Sequence, residues 1–360
     1  MVRRALSSVR DPTRGDIVAA GMVSGLVIKE GNVLVTIEVA RERGPQMEPL
    51  RKAAEAAVAA VPGVLSSTVV LTAQKDAPKP PGETPRAAAG GGKLLLPGVG
   101  AVVAVASGKG GVGKSTTAAN LALALAAGGK RVGMLDADIF GPSLPTMLGI
   151  KGRPSSPDGK RILPMENYGL KTMSIGFMVP EDSPMIWRGP MVMGALEQML
   201  KDVEWGTLDV LIVDMPPGTG DAQLTMAQRV PLAGAVIVST PQDLALIDAR
   251  RGLNMFKRVD VPVLGIVENM SYFLCPHCGG RSDIFTHGGA RREAEKLGVD
   301  FLGEIPLDMR IRETSDSGRP IVVADPDSAH AKAYRAIADK VWAKIGGQGA
   351  GRAAPKIVIQ

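Results

Sequence analysis

Two cysteines, Cys275 and Cys278, stand three positions apart in the stretch CPHCGG, and they are the only cysteines in the 360-residue chain. Such a pair can be two buried structural thiols, a redox couple, half of a zinc site or half of an iron–sulfur site. The position between SYFL and two glycines indicates a loop, which fits buried thiols poorly. A thioredoxin-like redox pair would begin a helix in a small βαβ fold, which is not the context found here.

Both kinds of metal site need more ligands than one Cys-x-x-Cys pair supplies, because zinc and [4Fe–4S] clusters generally take four. Of the three histidines, His287 is the better additional zinc ligand, since His277 lies between the cysteines themselves. Alternatively, two copies related by a two-fold axis would bring two pairs together and supply four thiolates. The pattern therefore predicts that Cys275 and Cys278 bind zinc or an iron–sulfur cluster across a homodimer.

A glycine-rich stretch, GKGGVGKST at 108–116, follows a β-branched run and precedes an alanine-rich helical one. Its Gly-x4-Gly-Lys-Ser spacing fits the P-loop pattern in full, in which backbone N–H groups and a helix N-terminus surround phosphate oxygens. We expect Lys114 to reach the β- and γ-phosphates, Ser115 to ligate Mg²⁺ and Thr116 to support the α-phosphate. The expected nucleotide-binding residues of this loop are Gly108, Lys109, Gly110, Gly111, Val112, Gly113, Lys114, Ser115 and Thr116.

Hydrophobic patterning indicates the elements that position these motifs. From about residue 98, short apolar runs alternate with helical stretches, as βαβ units around a buried parallel sheet require. The runs predicted to be strands are AVVAVAS, RVGMLDAD, LKTMSIGF, DVLIVDMP, GAVIVST, VLGIVENM, FLGEIP and PIVVAD. We therefore predict a doubly wound, mostly parallel α/β domain of the P-loop NTPase type.

A small α/β domain is predicted before the P-loop domain. Residues 25–39 predict two strands around a Gly-Asn turn, 47–61 a helix that ends at a Pro-Gly pair, and 64–72 a further strand. The stretch that follows is rich in Pro, Gly and Ala and lacks bulky apolar residues, which predicts a flexible linker. The predicted division is 1–75 for the small domain, 76–97 for the linker, 98–345 for the P-loop domain and 346–360 for a mobile tail.

Composition and charge argue against nucleic-acid and membrane partners. The net charge of +6 comes from scattered basic residues without a run of five or more, which predicts a solvated surface. The longest nearly apolar segment, at 94–107, contains Pro and Gly and is too short to span a bilayer. The N-terminus lacks the apolar stretch of a secretory signal. We therefore expect a cytoplasmic protein, in a compartment where disulfides are rare.

The motifs together resemble those of the Mrp/ApbC-type iron–sulfur cluster carriers. The matching stretches are GKGGVGKS, LDADIFGPSLP, DMPPGTGD, TPQD and SYFLCPHCG, over roughly residues 98–340. GKGGVGKS is the deviant P-loop of a subclass that also includes MinD- and ParA-like ATPases and nitrogenase iron protein. The resemblance implies a face-to-face homodimer in which Lys109 serves the nucleotides. It also implies ATP hydrolysis and a [4Fe–4S] cluster, bridged between subunits, that passes from scaffold or donor proteins to apo iron–sulfur proteins.

The resemblance extends to residues at the ends of strands and to the small domain. It implies that Asp138 orients the attacking water, and Asp214 is expected to hold Mg²⁺. By the same likeness Gly218 contacts the γ-phosphate through its N–H. Asn269, Pro306 and Asp308 are expected to surround adenine, and the missing Asn-Lys-x-Asp motif agrees with ATP rather than GTP. The expected catalytic residues are Lys109, Lys114 and Asp138.

The stretch VRDPTRGDIVAAGMV resembles the small domain that is fused to such carriers. Some versions of that domain carry a reactive cysteine, which this one lacks, so we expect it to dock a partner. Two alternative functions stay open: a MinD/ParA-like positioning ATPase, and a P-loop metallochaperone for zinc or nickel. The positioning ATPase predicts an amphipathic C-terminal helix or a basic DNA-reading face, and neither is visible in the sequence.

Overall fold

The computed structural model describes most of the chain. The described residues are 2–13, 15–29, 32–39, 47–64, 66–73, 94–179 and 189–349. They form two compact units, one on each side of residues 74–93. Most of the predicted linker, and residues 350–360 of the predicted tail, lie outside the described residues.

The first unit is a small α/β fold in which the predicted strands and helix are confirmed. Its elements are α1 (Val2–Leu6), β1 (Arg10–Asp11), β2 (Gly15–Asp16), β3 (Val23–Lys29), β4 (Asn32–Val39), α2 (Glu48–Ala59) and β5 (Ser66–Ala73). β4 pairs antiparallel with β3 and parallel with β5. One face of α2 buries Leu50, Ala54 and Val58, at the four-residue spacing of an amphipathic helix. Residues 30 and 31, which include the glycine of the predicted Gly-Asn turn, lie outside the described residues.

The second unit is an α/β layer structure. Its elements up to the middle of the sheet are β6 (Val99–Ala106), α3 (Lys114–Ala127), β7 (Val132–Asp136), α4 (Leu144–Met147), β8 (Met165–Asn167), β9 (Leu170–Ser174), α5 (Gly189–Lys201), β10 (Leu208–Asp214) and α6 (Asp221–Arg229). The remaining elements are β11 (Leu232–Ser239), α7 (Asp243–Arg258), β12 (Val263–Glu268), β13 (Phe273–Leu274), β14 (Arg281–Ser282), α8 (Gly289–Leu297), β15 (Phe301–Glu304), α9 (Met309–Asp316), α10 (Ile321–Ala324) and α11 (Ala329–Gly349).

The central sheet confirms the predicted mostly parallel topology. Its order is β15-β12-β11-β6-β10-β7-β9-β8, and only the edge strand β8 runs antiparallel to its neighbour. The inner strands are mostly apolar, as expected of a sheet covered by helices, and every residue of β7 is buried, including Asp136 at its end. The strands β7 to β10 lie on one side of β6, and the later strands β11, β12 and β15 lie on the other. This reversal of strand order leaves a crevice at the carboxyl ends of the central strands.

One predicted strand is wrong. The run PIVVAD at 320–325 contains the short helix α10 instead of a strand. Ile321 and Val322 are buried in the core of the second unit, and the Val322 N–H donates to Asn120 Oδ1 at 3.2 Å. The Val323 and Ala324 N–H groups donate to the Pro320 carbonyl. Packing and local hydrogen bonds therefore override the β propensity of the Ile-Val-Val run.

Both ends of the second unit extend into segments that were predicted to be linker or tail. The side chain of Leu94 is buried in the core, and its N–H donates to the Arg229 carbonyl at 2.8 Å. At the other end, α11 continues to Gly349 and buries Ile337 and Val341. None of the helices in the described part of the chain combines the length and apolarity that a bilayer crossing requires.

Candidate functional site

The loop between β6 and α3 is shaped by glycines that have no room for a side chain. Gly113, the residue before α3, has a φ of +78°. A Cβ on Gly113 would lie 2.1 Å from Asn269 Nδ2, and one on Gly108 would lie 2.1 Å from the Asp248 carbonyl carbon and oxygen. Larger residues at these two positions would clash with Asp248 of α7 and with the Asn269 side chain, and would displace the loop. The loop can therefore keep its N–H groups close to a bound anion only with glycine there.

A cavity of about 660 Å³ opens in front of this loop, at the carboxyl edge of the sheet. Eleven of the predicted nucleotide-site residues line it, namely Lys109, Gly110, Gly111, Gly113, Lys114, Ser115, Thr116, Asp138, Asn269, Pro306 and Asp308. Four other predicted residues, Gly108, Val112, Asp214 and Gly218, are not among the lining residues. The cavity is large enough for a nucleotide, since small-molecule sites usually measure about 300–1,000 Å³.

Lys114 and Asp214 form a buried ion pair behind the loop. Lys114 Nζ is 2.5 Å from Asp214 Oδ1 and 3.1 Å from Ser115 Oγ, and Lys114 is only 6% exposed. Burial raises the pKa of Asp214, and the neighbouring Lys114 charge opposes that rise. The other carboxylate oxygen, Asp214 Oδ2, is buried and has no hydrogen-bond partner among the described residues. An orphan carboxylate oxygen beside a serine hydroxyl is a donor set that suits Mg²⁺.

Asp136, at the end of β7, organises the loop that carries Asp138. It lies directly opposite Asp214 in the sheet register. Asp136 Oδ1 accepts the Asp138 N–H at 3.1 Å, and Oδ2 accepts the Ser143 N–H at 3.0 Å and the Ser174 hydroxyl at 3.1 Å. Burial, and then the charge of Asp214, raises the pKa of Asp136 to about 7. Sequence analysis did not predict this positioning role of Asp136.

Asp138 itself is half-buried, and it faces the cavity. Burial raises the pKa of its carboxyl group, against the lowering effect of Lys114. Asp138 therefore stands where a carboxylate could hold a water molecule against a phosphate. The structure brings it into the same cavity as Lys109 and Lys114, as the sequence predicts.

Gly218, on the loop after β10, differs from its predicted arrangement. Its N–H, which was expected to contact the γ-phosphate, donates to the Ser107 carbonyl at 3.1 Å. The neighbouring Pro217 lines the cavity instead. A phosphate contact through the Gly218 N–H would require the bond to Ser107 to break.

The residues predicted to surround the base line the same cavity, and two of them have structural partners. Asn269 Nδ2 donates to the Val112 carbonyl at 2.9 Å, which ties the end of β12 to the P-loop. Asp308 begins α9, where its Oδ1 accepts the Arg310 N–H at 2.7 Å, and its Oδ2 lies 3.0 Å from His330 Nε2. Further lining residues that were not predicted include Ser143, Thr146, Met147, Met270, Leu307, Ile311, Arg312, Ser315 and Asp316.

Cys275 and Cys278 lie in a small hairpin formed by β13, β14 and the residues between them, which we call the cysteine hairpin. The Cys275 N–H donates to the Gly280 carbonyl at 2.9 Å, and the Gly279 N–H donates to the Cys275 carbonyl at 2.8 Å. Cys275 is half-buried and Cys278 is exposed. Hydrogen bonds from the Cys278 and His277 N–H groups, and then from the Cys278 thiol, lower the pKa of Cys275. This geometry favours thiolate chemistry at an accessible site.

His287, the expected additional zinc ligand, is engaged elsewhere. Its Nδ1 lies 2.8 Å from an Arg281 guanidinium nitrogen and 3.2 Å from Ser271 Oγ. Neither contact involves a cysteine. The described residues therefore leave Cys275 and Cys278 as two ligands of an incomplete set.

Comparison with known proteins identifies the family. Residues 98–342 match the family described as NUBPL iron-transfer P-loop NTPase, and residues 1–70 match the family described as iron-sulfur cluster assembly protein. The chain belongs to the iron-transfer P-loop NTPase family. The resemblance inferred from the motifs is thereby confirmed.

Named relatives of this family cover most of the chain. The iron-sulfur cluster carrier protein of Synechocystis is 47% identical over 350 residues, which is 96% of this chain and 97% of that protein. The protein of the same name from Escherichia coli K12 is 56% identical over 253 residues, covering 70% of this chain and 69% of the relative.

Solved structures agree with the fold. The nucleotide-binding protein of Archaeoglobus fulgidus, in complex with ADP, has 42% sequence identity and a TM-score of 0.58, over 66% of this chain and 93% of that one. MinD from Pyrococcus horikoshii, at 23% identity with a TM-score of 0.52 over 70% of this chain and 99% of that one, shares the fold. The predicted fold class is therefore confirmed.

Proposed function

We propose that this chain binds and hydrolyses ATP and carries a [4Fe–4S] cluster, held between two copies of itself, to apo-proteins. The observation that carries the proposal is the presence of two sites in one compact unit. One is a P-loop cavity of nucleotide size, and the other is a hairpin with two of the four thiolates that a cluster needs. The names of the relatives support the same role.

The nucleotide chemistry follows from the cavity. The loop N–H groups and the N-terminus of α3 would bind the phosphates, and Lys114 would exchange Asp214 for the β- and γ-phosphates. Ser115 and the orphan oxygen of Asp214 fit Mg²⁺, which when bound neutralises phosphate charge. Asp138 would position the attacking water. Adenine would lie between Asn269 and the segment that contains Pro306 and Asp308.

Dimerisation would complete both sites. Lys109 lines the cavity and follows the first glycine of the loop. In the proposed dimer it would contact the nucleotide of the facing copy. The same two-fold axis would bring two cysteine hairpins together and supply four thiolates for the cluster. Because the cluster is held by two chains, a change in their arrangement can release it to a recipient protein. The small N-terminal unit would dock a donor or recipient protein, since it has no cysteine of its own.

Anaerobic reconstitution with iron and sulfide tests the proposal. Wild-type protein should gain the visible absorbance of a [4Fe–4S] cluster, with matching iron and acid-labile sulfide and one cluster for two chains. The double variant Cys275→Ser/Cys278→Ser should lose all three signals. Ser282→Ala, at an exposed position of the same hairpin, is the matched control and should behave as wild type.

Three results would contradict the proposal. Undiminished cluster absorbance in the double serine variant would exclude the cysteine hairpin as the cluster site. Protein isolated without oxygen that holds zinc or nickel and no labile sulfide would instead favour a metallochaperone. A colourless protein that sediments with lipid would favour a positioning ATPase.

A further inference from the structure

We propose that residues 269–271 couple the nucleotide cavity to the cysteine hairpin, with Ser271 as the residue that positions the hairpin. This inference deepens the proposed function and rests on it for the roles of the two sites. The three residues follow the end of β12 directly and lead into β13, the first strand of the cysteine hairpin. They are therefore the shortest covalent path between the two sites.

The first two residues of this segment belong to the nucleotide cavity. Asn269 is 7% exposed, lines the cavity and donates to the Val112 carbonyl of the P-loop at 2.9 Å. Met270 lines the cavity as well. A change in the P-loop on nucleotide binding would reach the segment through the hydrogen bond to Val112.

The third residue belongs to the base of the cysteine hairpin. Ser271 is fully buried, and its hydroxyl lies 2.6 Å from Glu268 Oε1, 3.2 Å from His287 Nδ1 and 3.3 Å from Glu304 Oε2. Glu268 also accepts the Gly288 N–H at 3.1 Å and the Ala290 N–H at 2.6 Å. Both ends of the segment that contains the hairpin are therefore fixed to one buried carboxylate.

A second connection runs through the backbone. The Ser271 N–H donates to the Ile305 carbonyl at 2.9 Å, and the Leu307 N–H donates to the Tyr272 carbonyl at 2.7 Å. Pro306 and Leu307 line the nucleotide cavity. Ser271 and Tyr272, which lead into the cysteine hairpin, are thus hydrogen-bonded to the segment that lines the cavity. Movement of that segment would therefore displace the hairpin.

Backbone conformation marks the two ends of the segment that would move. Met270 has a φ of +54° and Thr286 a φ of +71°, and they flank residues 271–285. Positive φ is uncommon outside glycine and is a marked outlier for a β-branched residue such as threonine. Such conformations persist only where surrounding contacts hold them, and they concentrate at switch regions. Residues 271–285 are thus bounded by two strained positions.

The cluster around Ser271 is better explained as a positioning network than as a metal site. Ligand atoms of Glu268, His287 and Glu304 lie within 4.8 Å of one another, the one such group of His, Cys, Asp or Glu found in the described part of the chain. However, an Arg281 nitrogen lies 2.8 Å from His287 Nδ1, where its positive charge would oppose a metal ion. Both Glu268 oxygens already accept hydrogen bonds.

The test uses thiol reactivity in the full-length, metal-free, reduced chain. Alkylation of Cys275 and Cys278 by N-ethylmaleimide is followed by mass spectrometry, with and without Mg²⁺ and a non-hydrolysable ATP analogue. Nucleotide should change the wild-type rate by about fivefold or more, the lower end of usual coupling between sites. Ser271→Ala should bring the ratio of the two rates close to unity, while affinity for the analogue stays at the wild-type value. A merely structural role of Ser271 would leave this ratio unchanged.

Two further variants make the test decisive. Ser282→Ala, in β14, should keep the wild-type ratio. Met270→Gly relieves the positive φ without removing a hydrogen-bonding side chain, so it should also lower the ratio, and it decides the matter if Ser271→Ala does not fold. The coupling is overturned if the analogue leaves the alkylation rate of the wild-type protein unchanged. It is also overturned if Ser271→Ala and Met270→Gly both respond to the analogue as strongly as the wild type. A chain that shows the ratio but takes up no iron and sulfide contradicts the proposed function and leaves the coupling intact.

Discussion

Replacing Gly113 by alanine should destabilise the second unit more than the same change at Gly111. Both glycines have a φ of +78°, a region in which a Cβ costs roughly 1–2 kcal/mol. A Cβ on Gly111 meets no atom within 4 Å, whereas one on Gly113 would lie 2.1 Å from Asn269 Nδ2. Asn269 must then leave the Val112 carbonyl, and a buried group without a partner costs about 1–3 kcal/mol. We expect losses of about 1–2 kcal/mol for Gly111→Ala and about 2–5 kcal/mol for Gly113→Ala.

Urea unfolding of the nucleotide-free, full-length chain measures both losses. All three tryptophans lie after residue 94 in the sequence, so their fluorescence reports the second unit. The urea dependence of the unfolding free energy should stay constant across the three proteins, which makes their midpoints comparable. Equal losses for the two variants, or a larger loss at Gly111, would refute the reasoning, because Asn269 would then give way to the new methyl group at no cost.

Two further predictions concern the buried charges. Lys114→Met should lower the free energy of unfolding by about 3–5 kcal/mol, because it leaves the buried Asp214 without its partner, and it should abolish binding in a titration with a fluorescent ATP analogue. The raised pKa of Asp136, about 7 against 3.8, means that the folded chain binds an extra proton between these values. Without divalent cations, the free energy of unfolding should therefore fall as the pH rises from about 4 to about 7, and Asp136→Asn should reduce this slope in urea titrations at several pH values. Asp138 and Asp214, whose pKa values are also raised, should account for the slope that remains.

The parts of the site that could be predicted from the sequence are those whose contacts are local or follow from the parallel sheet. The P-loop is one contiguous stretch, and Asp136 and Asp214 meet because parallel strands end at the same edge. Contacts between distant parts of the chain could not be predicted. Val322 forms helix rather than strand partly because Asn120, 202 positions away, accepts its N–H. In the same way, no local pattern in the sequence indicates that His330 holds Asp308.

Contacts already present in the structure indicate what nucleotide binding must change. Lys114 Nζ is bound to Asp214, and the Gly218 N–H is bound to the Ser107 carbonyl, although the proposed phosphate site needs both donors. A ligand shifts a conformational equilibrium only by the difference between its affinities for the two states. Breaking these two bonds is therefore part of that difference. Because Ser107 directly precedes the P-loop and Val112 within the loop accepts a hydrogen bond from Asn269, rearrangement of the loop would be transmitted to the segment that leads to the cysteine hairpin.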